Sequence, residues 1–354
     1  MMSLSVVVIG RNEEIYITDC LRSVLIAVAQ VGGAEVVYVD SASTDRTVEL
    51  VRALCVRVIL LRPEWELSPS AGRYVGFHHT AGEFVMFVDG DTVIEPDWLR
   101  NALPWFDRPD VSGVAGFFED LDDQGCLLPY VGKRSETVCE LGDLRGSGLY
   151  RRKAMEQVGT FNPYLVTDEE AELGLRLRRG GWKLLHLPYP MGCHHRGAPR
   201  LRMMLRAFRL GRIGRIGVTW RYACREGLGF QFCFRHLRLT MMFALACLLL
   251  SPGLFLLLAG YSHAAKLFLW PLLLGNIAIA IKKRSLLGPL DYIVTHGMAL
   301  FGLIVGSLNA QIKDPRDYPL DVIEIANHDT RIRRFSTKLR VAEGNRMKEE
   351  QAGL

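Results

Sequence analysis

Over residues 239–265, 267–281 and 292–312 the sequence contains no Asp, Glu, Lys or Arg. A bilayer core of roughly 30 Å takes about 20 mainly apolar residues per helix, so these runs are the right length for membrane helices. Spans are expected at about 239–260, 264–281 and 290–311, within a region 239–312. Ser251-Pro252-Gly253 is expected to kink or break the first. Asp291 and His296 weaken the third, for which a re-entrant or interfacial helix is an alternative. Lys282-Lys283-Arg284 follows the second run and belongs on the same side as the soluble front if two spans separate them. The sequence therefore divides into a front that folds in water and a back that does not.

Charge sharpens this division. Residues 200–238 hold ten arginines and one acid, Glu226. That stretch carries +9, against a formal charge of +5 for all 354 residues. Met, Ile, Phe, Trp and Tyr interleave with the arginines, as in a segment that lies in a membrane interface and meets anionic lipid headgroups. The modest overall charge argues against a nucleic-acid binder. Eight cysteines with no Cys-x-x-Cys pair exclude a zinc ribbon and a disulfide scaffold, and fit a reducing compartment. The expected organisation is a catalytic unit over 1–199, a basic amphipathic segment over 200–238, membrane helices within 239–312, and a charged tail over 313–354.

The front reads as α/β. Residues 4–9 form a first strand rather than an export signal, 34–39 a second ending on Asp40, 56–61 a third, and 83–88 a fourth ending on Asp89-Gly90-Asp91. Helical spacing lies between them, with Asn12 a candidate N-cap for the first helix and 71–80 the helix before the fourth strand. Strands alternating with helices imply a parallel sheet covered on both faces, with ligands beyond the carboxyl ends of the strands. Another strand is expected over 182–187.

Asp89-Gly90-Asp91 carries the sharpest chemistry. Two carboxylates around a glycine, directly after a buried strand, can face one divalent cation, and Mg²⁺ or Mn²⁺ takes oxygen ligands of this kind. The bland reading is a solvated turn. Asp168-Glu169-Glu170 opens a later helix, where acids favour the helix dipole or supply a general base.

Val6–Gly10 with Arg11-Asn12-Glu13-Glu14, Asp40 with Ser41-Ala42-Ser43-Thr44-Asp45, Gly72-Arg73 with Gly76, Asp89-Gly90-Asp91, Gly146-Ser147-Gly148 and Glu169-Glu170-Ala171-Glu172 follow in that order. Over about residues 4–190 this series resembles the family 2 glycosyltransferases. The resemblance implies a GT-A fold, a Rossmann-like mixed sheet, here followed by an all-α membrane-anchoring region. It implies a donor site at Glu13, Asp40, Arg73 and Asp89, for a nucleoside-diphosphate sugar, with a UDP-sugar expected. It implies Mg²⁺ or Mn²⁺ on Asp91 and Asp89, with His195 or its neighbour His194 completing the shell. It implies Glu170 as the base of an inverting transfer, with Glu169 and Asp168 competing for the role.

Three departures from the family pattern stand out: Ser41 for a second Asp, Tyr74 for an Asn, and Glu170 for an Asp. Arg206, Arg209 and Arg212 are expected to hold an acceptor or lipid phosphate. The family's Gln-x-x-Arg-Trp motif of processive members is missing from 201–209, so one sugar per encounter is expected. The expected activity is transfer to a membrane-associated, lipid-linked acceptor in polysaccharide or glycolipid synthesis. The expected location is an inner (plasma) membrane, multi-pass, with the catalytic unit cytoplasmic. A sugar nucleotidyltransferase would need a glycine-rich phosphate loop near residue 10, which Ile9-Gly10-Arg11-Asn12-Glu13 is not. A non-catalytic nucleotide-sugar-binding scaffold would have no need of Asp89, Asp91 and Glu170 together.

Overall fold

The structure is a computed structural model, and it describes residues 3–54, 56–121, 136–144, 147–195, 214–283 and 288–325. The chain forms two compact units. The first comprises Met1–Val166, Arg176–Arg196 and Asp314–Leu354, and the second comprises Thr167–Leu175 and Gly197–Lys313.

The first unit is built on a mixed sheet of ten strands among the described residues. In chain order these are β1 Leu4–Gly10, β2 Glu35–Asp40, β3 Arg57–Leu60, β4 Phe84–Asp89, β5 Thr92–Ile94, β6 Val111–Leu121, β7 Cys139–Leu141, β8 Gly148–Arg151, β9 Lys183–His195 and β10 Ile323–Ile325. Their spatial order is β10-β3-β2-β1-β4-β8-β6-β9-β5, with β7 on β9. Strands β3, β2, β1 and β4 are parallel, and β8 runs against β4 and β6.

The residues explain the arrangement. β1 is Leu-Ser-Val-Val-Val-Ile-Gly, and its first six residues are buried, so it shows no alternation and needs cover on both faces. Helix α1 (Ile17–Ala29) buries Ile17, Cys20, Leu21, Val24, Ala27 and Val28, one face at helical spacing. It begins five residues beyond the predicted cap. Asn12 instead adopts a left-handed φ of 60°, and its side chain turns to the loop after β2. Helix α2 (Thr47–Ala53) follows β2, and α3 (Pro69–His78) precedes β4. Ser68 caps α3 by accepting from the Ala71 N–H at 2.9 Å, and Pro69 occupies its first position. Gly76 lets α3 lie close on the sheet, because a Cβ there would overlap Val7 and crowd Val39. Short helices α4 (Trp98–Ala102) and α5 (Arg152–Val158) complete the unit's described helical cover.

Strands β5, β6, β7 and β8 have no counterpart in the sequence reading, and two further strands differ from it. β9 continues to His195 through Pro188, Pro190 and Gly192, where the sequence predicts a stop at 187. It pairs with β6 through register shifts that absorb the missing N–H groups. Within the predicted tail, Ile323–Ile325 pairs antiparallel with β3, from Ile323 opposite Leu60 to Ile325 opposite Val58. Arg57 fixes it by donating to both Glu324 oxygens, at 2.8 and 3.3 Å. Three residues are too few for periodicity to reveal a strand.

The second unit is all α-helical among its described residues. It contains the start of α6 (Glu169–Arg179), then α7 (Arg215–Arg225), α8 (Gly229–His236), α9 (Arg238–Leu258), α10 (Ser262–Lys283) and α11 (Gly288–Asn309). Ala171 and Leu175 of α6 pack with Ala223, Leu228, Phe232, Leu237 and Leu303. By length and composition, Arg238–Leu258 and Pro289–Asn309 are each able to cross a membrane.

Gly76→Val places three heavy atoms where Val7 and Val39 already sit. It should destabilise the first unit by about 1–3 kcal/mol, as overpacked cores do. Thermal unfolding followed by tryptophan fluorescence would show a lowered Tm.

Candidate active site

Parallel pairing places the site. Gly10 lies opposite Asp40, and Ile9 lies opposite Asp89, so the three carboxyl ends are level. From β1 the chain passes to β2 on one side, and the later connection from β3 crosses to β4 on the other. Such a switch point opens the crevice in which α/β sheets bind ligands.

The loops after β1 and β2 are stitched to each other. The Asn12 N–H donates to Ser43 Oγ at 2.9 Å, and Asn12 Oδ1 accepts from the Thr44 N–H at 2.8 Å. The Glu13 N–H donates to Thr47 Oγ1 at 2.8 Å. Asp40 is 2% exposed, and its carboxylate accepts from the Ser43 N–H at 2.7 Å, Ser43 Oγ at 2.6 Å and the Tyr38 hydroxyl at 3.3 Å. Asn12, Ala42 and Asp168 are the non-glycine residues at positive φ, between 56 and 60°, among those described. All three stand in or beside the segments singled out by the sequence motifs. Left-handed backbone at an alanine is uncommon, and it concentrates where function over-determines geometry.

Beyond β4, Asp89 Oδ1 accepts from Arg73 Nη2 at 2.8 Å. Arg73 is 2% exposed and stacks its guanidinium over Phe161 at 5.4 Å. Its observed partner is thus an acid of the Asp89-Gly90-Asp91 turn. A guanidinium this deep needs such a partner to offset its lost hydration. The Gly90 N–H donates to Ile9 O at 2.8 Å and holds the turn on β1.

Asp91 meets His194, whose Nε2 is 3.4 Å from Asp91 Oδ2. Strand pairing produces this contact, since β5 runs antiparallel to β9 with Thr92 opposite His194. The hydrogen bond to Asp91 raises the His194 pKa above the usual histidine value. The side chain of His195 lies outside the described residues.

Glu13 faces the same turn. Burial, then the negative charges of Asp91 and Asp89, push its carboxyl up from 4.5 to about 7. Glu13, Asp89 and Asp91 therefore concentrate negative charge at one sheet edge. Among the described residues no three His, Cys, Asp or Glu side chains form a ready-made metal cage. The donor set still suits a hard divalent cation, which keeps water and substrate phosphate oxygens in its shell beside one or two carboxylates.

Glu169 and Glu170 open α6 in the second unit, directly after Asp168 in its left-handed conformation. Glu169 is buried and Glu170 half-buried. Thr219 of α7, itself fully buried, donates its hydroxyl to Thr167 O at 2.7 Å and fixes the turn that carries these acids. Arg206, Arg209 and Arg212 lie outside the described residues. Tyr38, Thr47 and Thr219 escape the sequence reading because each acts through a main-chain or buried partner that no local motif announces.

A Rossmann-like α/β unit with acids gathered at the switch point of its parallel strands has the GT-A-like architecture of nucleotide-sugar enzymes. Residues 5–129 match the model for glycosyl transferase family 2, and the chain carries a domain of that family. The beta-monoglucosyldiacylglycerol synthase of a Nostoc species is 26% identical over 204 residues, 53% of this chain and 43% of that protein. The poly(ribitol-phosphate) beta-N-acetylglucosaminyltransferase TarS of Staphylococcus aureus is 36% identical over 111 residues, 30% of this chain and 19% of that protein. The chain thus spans less than half the length of these curated relatives. The mannosyltransferase PcManGT of Pyrobaculum calidifontis, solved with GDP-Man and Mn²⁺, has the same fold, with a TM-score of 0.53 at 18% identity. That likeness covers 86% of this chain and 87% of the solved one.

The raised carboxyl of Glu13 has a calculable sign. A folded pKa of about 7 against 4.5 in the unfolded chain means that the native state holds the extra proton between these values. Stability is therefore lost as pH rises from 4.5 to about 7, and the deficit is complete above 7. Glu13→Gln should raise Tm at pH 8 in EDTA, with the gain shrinking to nothing by about pH 4.5. Differential scanning fluorimetry across that range checks it.

Proposed function

We propose that this protein transfers a sugar from a nucleoside-diphosphate sugar to a hydroxyl of a membrane-associated, lipid-linked acceptor, with inversion at the anomeric carbon. The observation that carries the reading is the gathering of Asp40, Asp89, Asp91, Glu13 and His194 at the level carboxyl ends of β1, β2 and β4. The family 2 match over residues 5–129 supports the reaction class.

In this reading the stitched loops after β1 and β2 hold the nucleoside, with Asp40 and the backbone around Ala42 shaping its pocket. Arg73 holds Asp89 in place through its hydrogen bond, so that the Asp89–Asp91 turn faces the diphosphate. Asp91, braced by His194, and Asp89 would hold Mg²⁺ or Mn²⁺, which supplies positive charge against the departing diphosphate. Glu170 accepts the proton of the acceptor hydroxyl as that oxygen bonds to the anomeric carbon and the bond to the diphosphate oxygen breaks. General-base help of this kind is worth about 10²–10⁴-fold.

The acceptor is drawn to the membrane by two features: the basic stretch over 200–238, and the apolar helices that follow it. A lipid acceptor also agrees with the name of the Nostoc relative, a glucosyldiacylglycerol synthase. A UDP-sugar is the donor to test first, and the cytoplasmic face of a plasma membrane is where such donors are made available.

Asp91→Ala should abolish metal-dependent transfer in detergent while leaving the unfolding transition cooperative. Activity indifferent to both EDTA and this substitution would refute the cation role. Glu170→Gln should lower kcat about 10²-fold or more, with donor binding nearly unchanged. If Glu169→Gln or Asp168→Asn shows that loss and Glu170→Gln does not, the base is a different acid of the same turn.

A further inference from the structure

We infer that α9 and α10 are the pair of helices that cross the bilayer, and that α11, despite its length and composition, lies along the interface on the side of the catalytic unit with one face in lipid. The starting point is a constraint of parity. The chain leaves the first unit after Arg196 and rejoins it at Asp314. The return is firm. β10 joins the same sheet as β9, the Tyr318 hydroxyl donates to Glu66 O at 2.9 Å, and Tyr318 packs its ring against Trp65, Tyr74 and Tyr164. One folded sheet lies on one side of a membrane, so the number of crossings between residues 196 and 314 is even. Three spans are excluded.

Packing within the helical unit selects the two. α9 and α10 form a hairpin closed at Gly260, which has φ 86°. Gly253 sits where a Cβ would come within 3.0 Å of Phe268 and Leu269, so the helices lie side by side. With 22 residues at 1.5 Å each, about 33 Å, α10 runs the length of α9 and brings the chain back to its starting side. Both helices present apolar side chains to their surroundings, with Leu248 69%, Phe255 70%, Leu267 77% and Ile281 72% exposed. An apolar surface of this extent in water would drive association, and acyl chains cover it. Arg238 begins α9 and Lys282-Lys283 ends α10, which places cations at the same end of the hairpin.

α11 then begins where α9 began. The Tyr292 hydroxyl donates to Leu239 O at 2.9 Å, and Thr240 Oγ1 lies 3.1 Å from His296 Nδ1. Its other end is fixed to α7, a helix bearing Arg215, Arg221 and Arg225. Arg221 Nη1 donates to Ser307 O at 3.0 Å, and Gly217 and Gly306 allow a backbone approach that a Cβ on either would block. A guanidinium bonded to this turn is not at home in hydrocarbon. Both ends of α11 are therefore on the near side. The face away from α7 carries Leu290, Ile293, Phe301, Ile304 and Leu308, each 45–79% exposed, in steps of three, eight, three and four residues. This stripe adjoins the start of a spanning helix, and its occupant is the boundary between lipid headgroups and acyl chains.

The proposal is tested in the full chain by single cysteines introduced into a cysteine-free background, labelled by a membrane-impermeant maleimide in sealed vesicles of each orientation. Tyr261→Cys, at the hairpin tip, should react only from the side opposite the catalytic unit. Ser285→Cys and Ala310→Cys should both react only from its own side, and all three should react fully in detergent. Reaction of Ser285→Cys from the far side would make α9 and α11 the crossing pair and overturn the proposal, as would a hairpin tip labelled from the near side. A second measurement avoids the engineered background. Phe301→Lys in the native chain should keep the protein in the alkali-extracted membrane fraction, because an interfacial lysine reaches water. Loss of membrane retention in that variant would show Phe301 at the depth of a spanning helix. This inference concerns topology alone and stands or falls independently of the transfer reaction.

Discussion

The position of β1 between two parallel partners is the constraint on which the rest of the structure depends. Hydrogen bonding to β2 on one side and β4 on the other sets Gly10 beside Asp40 and Ile9 beside Asp89. Three chain segments that are far apart in sequence therefore end at one level. A slip of one residue in either pairing would turn Asp89 or Asp40 to the other face of the sheet. The burial of β1 on both sides enforces that register, because Val6, Val7 and Val8 are inaccessible and each fills a fixed hollow under α1 or α3.

Around this frame, charge is arranged unevenly. Arg73 pairs with Asp89 and His194 braces Asp91, while Glu13, half-buried beside the same two carboxylates, holds its proton to about pH 7. Among the described residues the sheet edge gathers more carboxylates than cations. In the proposed reading, a cation would relieve this carboxylate repulsion and a diphosphate would complete the cation's shell, so that the two would bind together more readily than either alone. The left-handed backbone at Asn12 and Ala42 belongs to the same design, since it aims main-chain groups of both loops around the carboxyl edge.

Much of this was legible in the sequence. Apolar runs ending on Asp40 and on Asp89-Gly90-Asp91 announce strands whose ends carry chemistry, and the parallel α/β order follows from the alternation of strands and helices. The approach of His194 to Asp91 is not legible in the sequence. The contact of His194 with Asp91 depends on the pairing of β5 with β9, which no local pattern encodes. β9 itself was read short because Pro188, Pro190 and Gly192 are strand breakers in isolation, and only its irregular pairing with β6 accommodates them. The location of Asn12 at a loop rather than a helix cap has the same origin: its partner, Thr44, is 32 residues away.

The pairing of β10 with β3 bears on how the protein is made. The edge of β3 is exposed, hydrogen-bond-ready backbone until residues 323–325 cover it. Those residues leave the ribosome only after the hairpin of α9 and α10 has been synthesised, and chains fold as they emerge at about 5–20 residues per second. The last strand of the sheet is thus added after the apolar helices have been made. A chain cut short anywhere before residue 323 would keep that edge open, a mark that quality-control proteases can recognise.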